Sequence, residues 1–467
     1  MTEQLYTRWD VTTRRQLLAG LAGSLPLAAQ TAKVFDVRDY GAVGDGAAVD
    51  TGAIQRAVDA AAASGGPAQV LLRGPKKYLV GTLVLKSNID FHLAEGAELV
   101  VSANRADYTP AGGVLTADGA RNLKISGAGG IDGQALKFMT GYSKEGEIWQ
   151  FGPFRPKIFI LSGVEGLEVS GISFKDAPNW GLHMMGCRHV LVDGLKIRNQ
   201  LDVPNCDGID PDHCSDVEIR NCDIVCGDDA IVVKSTRGGA QYGPSANISV
   251  HDCTIETKDS GLKIGTETVG EISGVRFERC EIRSCCRGIT IQLRDEGDVH
   301  DIEFNDIRFV ARYQAAPWWG RGEAISLTAM PRTKGGKIGR IRDVRMRNIT
   351  ARAENSVRIN GTAESPIANV TMEKVALTLE RFTEYPGAVY DNRPTAAYPD
   401  IEPHGTQGFN IRYADNVLLK DCTVNWGKNC PDYFTNALEA EAATNLRLTR
   451  FAGEAAHPER DEAVVIL

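Results

Sequence analysis

From about residue 121 onward, apolar and polar residues alternate in short runs, and each run bends at a Gly, Asn or Asp before a second apolar pair. The runs read LKISGAGG at 123, LEVSGISF at 167, VLVDGLKI at 190, VEIRNCDI at 217, ISVHDCTI at 248 and VRFERCEI at 275. They continue as IEFNDIRF at 302, VRMRNITA at 344, VTMEKVAL at 370, VLLKDCTV at 417 and LRLTRFAG at 446. Alternation over four residues predicts a short strand with one buried face. So short a strand cannot bury that face alone, so successive units must stack. The closest starts lie 23 to 31 residues apart, and the longer intervals of 42 to 47 leave room for an unrecognised turn or a long insertion. The pattern predicts a parallel β-solenoid whose coils pair with one another.

The sixth position of the unit carries Ile172, Leu195, Cys222, Cys253, Cys280, Ile307, Ile349, Val375, Cys422 and Phe451. Cysteine there alternates with aliphatic residues, so it reads as a small interior hydrophobe rather than one half of a disulfide ladder. The preceding position is often polar and turn-forming, as at Asn221, Asp252, Asp306, Asn348 and Asp421. With no CxxC pair among the 11 cysteines and the histidines scattered, no metal site is expected, and no cofactor.

Upstream of the coils, residues 34–72 contain a GDG turn and then Ile54, Ala57, Val58 and Ala61 at helical spacing, with Asp50 or Thr51 as the cap. This helix is expected to cover one open end of the stack. GAVGDG lacks the lysine and the helix register of a phosphate-binding loop, which excludes nucleotide binding as its role. Residues 12–29, TTRRQLLAGLAGSLPLAA, pair Arg14 and Arg15 with a short apolar run ending in small residues. That is the form of a twin-arginine export signal over 1–30, giving a periplasmic or secreted protein and a single domain over 31–467. No later run is apolar enough to span a membrane, and a monomer is expected. The 49 glycines fit sharp bends between sheets. A net charge of −8 gives no electrostatic reason to bind nucleic acid.

The start DYGAVGDG, the repeats, and NCDGIDPDHCSDVEIRNCDIVCGDDAIVVKS together resemble the polygalacturonase family of glycoside hydrolases, family 28, over about 34–450. The resemblance implies an all-β, right-handed parallel β-helix that hydrolyses α-glycosidic bonds of pectic polysaccharide with inversion. The family's Asn-Thr-Asp falls on Asn205-Cys206-Asp207, and its Asp-Asp pair on Asp228 and Asp229. The resemblance implies Asp228 as general acid, with Asp207 and Asp229 placing and deprotonating the water. Spacing supports these positions independently. Asp207 and Asp228 are 21 residues apart, about one coil, so their carboxyls can stand side by side on neighbouring strands. Glycoside hydrolysis needs one protonated and one ionised carboxyl, and clustering raises the pKa of at least one.

Two motifs depart from the family. Its Gly-His-Gly falls on Ser260-Gly261-Leu262, and its Arg-Ile-Lys on Thr290-Ile291-Gln292, so both usual cationic groups are missing. Lys234, Lys263 and Arg294 are the candidate replacements on nearby coils. His183 is a candidate groove residue and His213 a candidate to stand near the acid, with Asp210 reading as a turn residue or one that supports the site from behind. Two insertions, 310–336 and 384–405, are candidate groove walls favouring exo-action. The first supplies Trp318 and Trp319, one of which is expected to stack on a sugar, and Glu323, a candidate for binding hydroxyls. The expected partner is a polysaccharide or oligosaccharide. A non-catalytic carbohydrate-binding solenoid and a polysaccharide lyase are the competing readings.

Overall fold

The computed structural model describes residues 32–467, so the twin-arginine segment lies outside the described residues. Thirty-six strands join in one sheet, and the coils wind as a right-handed parallel β-helix. The coils begin well before the recognisable repeat: Lys33–Asp36 pairs with Ala68–Leu72, which pairs with Ile89–Leu93, which pairs with Arg121–Gly127, all in parallel. The long intervals are insertions rather than hidden coils. Leu123 registers directly with Leu167, Val299–Ala311 with Ile341–Ala353, and Val370 with Val417.

The bend chemistry follows the repeat. Asn221, Asp252, Asp306, Asn348 and Asp421 all sit in the left-handed region, with φ between +54° and +56°. Short polar side chains tolerate that conformation better than other non-glycine residues. The sixth-position column runs just beyond this bend and is buried, apart from the half-buried Phe451 near the C-terminal end. All 11 cysteines are free thiols.

The helix Thr51–Ala63 packs its buried face (Ala53, Ile54, Ala57, Val58 and Ala61) on the first coils, as the periodicity predicts. The cap chemistry differs from expectation. The Asp50 carboxylate makes no bond to the helix and instead accepts from the backbone N–H of Val43 (2.7 Å) and Gly44 (3.0 Å). It thereby closes the GAVGDG loop.

One column of strands positions the site: Lys157–Ser162, Leu182–Met185, Ile209–Asp212, Ile231–Ser235, Ser260–Thr268, Arg287–Leu293, Glu323–Ala329 and Asn355–Asn360. Leu182, Ile209, Ile231, Leu262, Ile289, Ile325 and Val357 stand in register along it and fill the interior. Against this ladder the bends entering each strand are stacked coil on coil. Two antiparallel hairpins leave the stack: Met139–Ser143 with Ile148–Phe151, and Val389–Asp391 with Ile401–Pro403 inside the second insertion.

Candidate active site

Asp207 ends the bend that enters Ile209–Asp212, and Asp228 and Asp229 end the bend that enters Ile231–Ser235. The coils approach closely here. The Gly208 N–H donates to the Asp229 carbonyl at 2.9 Å, and a Cβ on Gly208 would fall 2.4 Å from the Ala230 carbonyl oxygen. One carboxylate oxygen from each of Asp207, Asp228 and Asp229 lies within 4.8 Å of the others. All three residues are buried, with at most 5% of their surface exposed.

Burial and mutual repulsion keep protons in this cluster. Asp228 is pushed up to about 7, first by loss of water and then by the charges of Asp207 and Asp229. Its Oδ2 accepts from the Asn205 backbone N–H at 2.9 Å, and its Oδ1 from the Asp229 N–H at 2.9 Å. Asp207 is raised well above the carboxylate range by burial and by Asp210. Asp229 accepts from Lys263 Nζ at 2.7 Å. Lys234 Nζ stands 3.4 Å from Glu267, 3.7 Å from Asp210 and 3.8 Å from Asp207, so one ammonium serves three carboxyls. Three clustered carboxyls are also a donor set for a hard cation. Here Lys263 already neutralises Asp229, and Asp228 holds its proton to about neutral pH, which suits the set to acid–base work.

Above the cluster is a cleft of about 220 Å³. Asn205, Asp207, Asp228, Asp229, Lys234 and Lys263 line it, and Trp319 forms part of its wall. The remaining candidates fall elsewhere. Trp318 is fully buried, its indole N–H donating to the Glu147 carbonyl at 3.2 Å, so of the two tryptophans only Trp319 faces the cleft. Glu323 is sealed in the interior, accepting from the Arg321 N–H at 2.6 Å and facing Arg287 at 3.4 Å, so it is not open to a sugar hydroxyl. Arg294 is buried beneath the second insertion, donating to Thr328 Oγ1 (3.0 Å) and the Asn392 carbonyl (3.2 Å). Burial lowers its pKa to about 9, and it does not line the cleft.

His213 turns both ring nitrogens to backbone carbonyls, of Gly243 and Thr236, and so ties down a turn rather than facing the acid. His183 is held between Asp212 (3.2 Å) and Lys157 (3.1 Å), edge-on to Trp180, and it is Trp180 that lines the cleft. Ser260 is buried and donates to Asp259 at 3.0 Å, which leaves Asp259 at the cleft surface. Of the two readings of Asp210, the structure fits support from behind the site rather than an exposed turn: it is fully buried, with neither carboxylate oxygen hydrogen-bonded, and lies 3.7 Å from Lys234 Nζ.

Sequence reasoning missed Arg287 and Arg393, two cations that line the cleft alongside Lys234 and Lys263. Arg287 occupies the register position after Ser260, so stacking of the coils could have suggested it. Arg393 comes from the second insertion, more than 160 residues from the aspartates, and no local signal marks it. Of the two altered motif positions, Gln292 reaches the cleft and Thr290 is buried.

The comparisons with known proteins agree with this arrangement. A protein of Vitis vinifera described as a probable polygalacturonase is 30% identical over 267 residues, 51% of this chain and 53% of that protein. The chain thus spans about half the length of that relative. An exopolygalacturonase of Zea mays is 25% identical over 360 residues, 73% of this chain and 82% of the other. Among solved structures, the family 28 exopolygalacturonase of Yersinia enterocolitica superposes with a TM-score of 0.68 at 18% identity, covering 90% of this chain and 78% of that one, a likeness of fold. The model of the glycosyl hydrolases family 28 matches residues 66–385, a span that holds every coil around the aspartate cluster, and the chain therefore belongs to that family.

Proposed function

We propose that the protein hydrolyses α-glycosidic bonds in a pectic or related uronate-containing polysaccharide, with Asp228 as the general acid. The observation that carries this reading is a buried Asp228 carboxyl, pushed up to about 7, beside a second carboxylate, Asp229, which accepts a hydrogen bond from Lys263 at 2.7 Å. A protonated carboxyl donates to the leaving glycosidic oxygen, and the Asp229 carboxylate deprotonates water that Asp207 helps to place. Family membership supports inversion. The carboxyls are closer together than the roughly 6.5–9.5 Å usual for inverting pairs, so the anomer released is a direct check.

An acidic substrate is supported by charge. Lys234, Lys263 and Arg287 line the cleft but are buried and paired with carboxylates, so the more exposed Arg393 is the cation best placed to meet a uronate carboxylate where both motif cations are absent. Exo-action is supported by the two insertions, which place Trp319, Arg393 and Pro394 on the cleft wall. Export through the paired-arginine segment is part of the same proposal, since a polysaccharide substrate lies outside the cytoplasm. The test is incubation with defined pectic and other plant and bacterial polysaccharides, with products identified by mass, reducing ends and ultraviolet absorbance. Reducing ends without an unsaturated chromophore are expected from an acidic glycan. An unsaturated product would mean a lyase, and no product from any glycan would mean a binding protein.

A further inference from the structure

We infer that Arg155 is a positioning residue for Asp228, acting through Asn205; the inference rests on the reading of Asp228 as the acid. Arg155 lies just ahead of the strand Lys157–Ser162, two coils before the strand that follows Asp207. Its guanidinium makes one bond to the Pro178 carbonyl (3.1 Å), one to the Pro204 carbonyl (2.7 Å) and one to Asn205 Oδ1 (2.9 Å). The Phe151 ring covers it, 3.6 Å from guanidinium carbon to ring centroid. Its three hydrogen bonds go to the bends of the next two coils, at Pro178 and at Pro204–Asn205, rather than to a counter-ion.

The second of these bends is the one that reaches the acid. Asn205 has φ +56°, and both its backbone N–H (2.9 Å) and its Nδ2 (3.5 Å) face Asp228 Oδ2. An amide has two orientations of similar shape, and a guanidinium on the oxygen side selects one of them. With Oδ1 facing Arg155, the NH₂ group is turned toward Asp228. The bond to the Pro204 carbonyl fixes the adjoining peptide, whose N–H makes the shorter contact. Arg155 thus determines which groups meet the acid and at what angle, without touching substrate itself.

The arginine also contributes charge. The groups facing Asp228 are Asp207, Asp229, Asp259, Lys263 and Arg155, with the thiols of Cys206 and Cys226 beside them. The Arg155 charge favours the ionised form of Asp228, opposing the raising effect of Asp207 and Asp229. Removing it should move the acid's titration to higher pH. Lysine at the position would keep the charge but lose the planar fork that reaches three acceptors.

The test compares wild type, Arg155→Met and Arg155→Lys on whichever polysaccharide the wild type cleaves, measuring kcat, KM, the pH profile of kcat/KM and thermal stability. Loss of aim should lower kcat about 10- to 100-fold in Arg155→Met with KM changed less than about twofold. The alkaline limb of kcat/KM should move up in Arg155→Met and stay in place in Arg155→Lys, with kcat partly restored in the latter. If Arg155→Met does not fold, Arg155→Gln supplies the uncharged comparison. Variants whose kcat matches wild type, or whose losses track the folded fraction with the limb unmoved, would overturn the inference. Asp228→Asn separates the two levels. If it still hydrolyses, the acid assignment fails and the role of Arg155 with it. If it is inert while Arg155→Met matches wild type, only the inference about Arg155 fails.

Discussion

Lys263 and Asp229 meet across neighbouring coils, the ammonium donating to the carboxylate at 2.7 Å with both side chains buried. A buried pair of this kind adds little net stability, because dehydration offsets the attraction, but removing one member strands the other. Lys263→Met should therefore cost about 3–5 kcal/mol in denaturant unfolding. It should also sharply lower hydrolysis in the fraction that folds, because the Asp229 carboxylate would lose the ammonium that holds it in place. A variant with wild-type stability and activity would show that Asp229 has another partner.

The raised carboxyls make stability depend on pH in a defined direction. Asp228 and Asp210 both titrate near 7 in the fold, against an ordinary value of 3.8. Between those values the native state holds protons that the unfolded chain has released, so these groups lower stability as pH rises from about 4 to about 7. Asp228→Asn removes one such group. Its Tm should exceed that of wild type by a margin that is small at pH 4 and grows toward pH 7.5. A margin independent of pH would contradict the burial argument.

The two adjacent tryptophans should separate function from stability. Trp318→Ala empties a fully buried site and should cost about 3–5 kcal/mol of stability. Trp319→Ala should leave Tm nearly unchanged and raise KM, since its ring faces the cleft. Melting curves and initial rates on the two purified variants decide this. A reversed pattern would place Trp318 rather than Trp319 against the sugar.

Thiol accessibility checks the interior columns. Ten cysteines are buried and only Cys430 is half-exposed. A thiol reagent should label one cysteine per folded chain, identified by mass as Cys430, and all 11 after unfolding. Adding reductant should leave Tm unchanged. A loss of stability on reduction would reveal disulfides.

The scaffold could be read from the sequence because each coil repeats the same local conflict: a buried alternating strand, then a left-handed bend. Asn221 and its equivalents mark those bends by residue type alone. The first coils, around residues 33–101, were hidden although Asn88 marks a left-handed bend there, because the bend between Ile89–Leu93 and Ala97–Val101 is a residue longer than that of the repeat and breaks its spacing. The aspartates were legible because one coil of separation brings them together. Their surroundings were not, because they are set by side-chain aim and by loops distant in sequence. Trp318 and Trp319 differ by one position, yet the first is fully buried and the second lines the cleft. His213 and Glu323 have the right chemistry but are satisfied inside the wall. Arg393 arrives on a hairpin whose position no repeat specifies.

The central claim is that Asp228 supplies the proton that breaks the glycosidic bond. Its most direct test is product formation by wild type and Asp228→Asn on the same uronate-containing polysaccharide, followed by mass and reducing-end assay, with circular dichroism confirming that both are folded. Hydrolysis products from wild type and none from the folded variant are the expected result. Equal product from both would contradict the account.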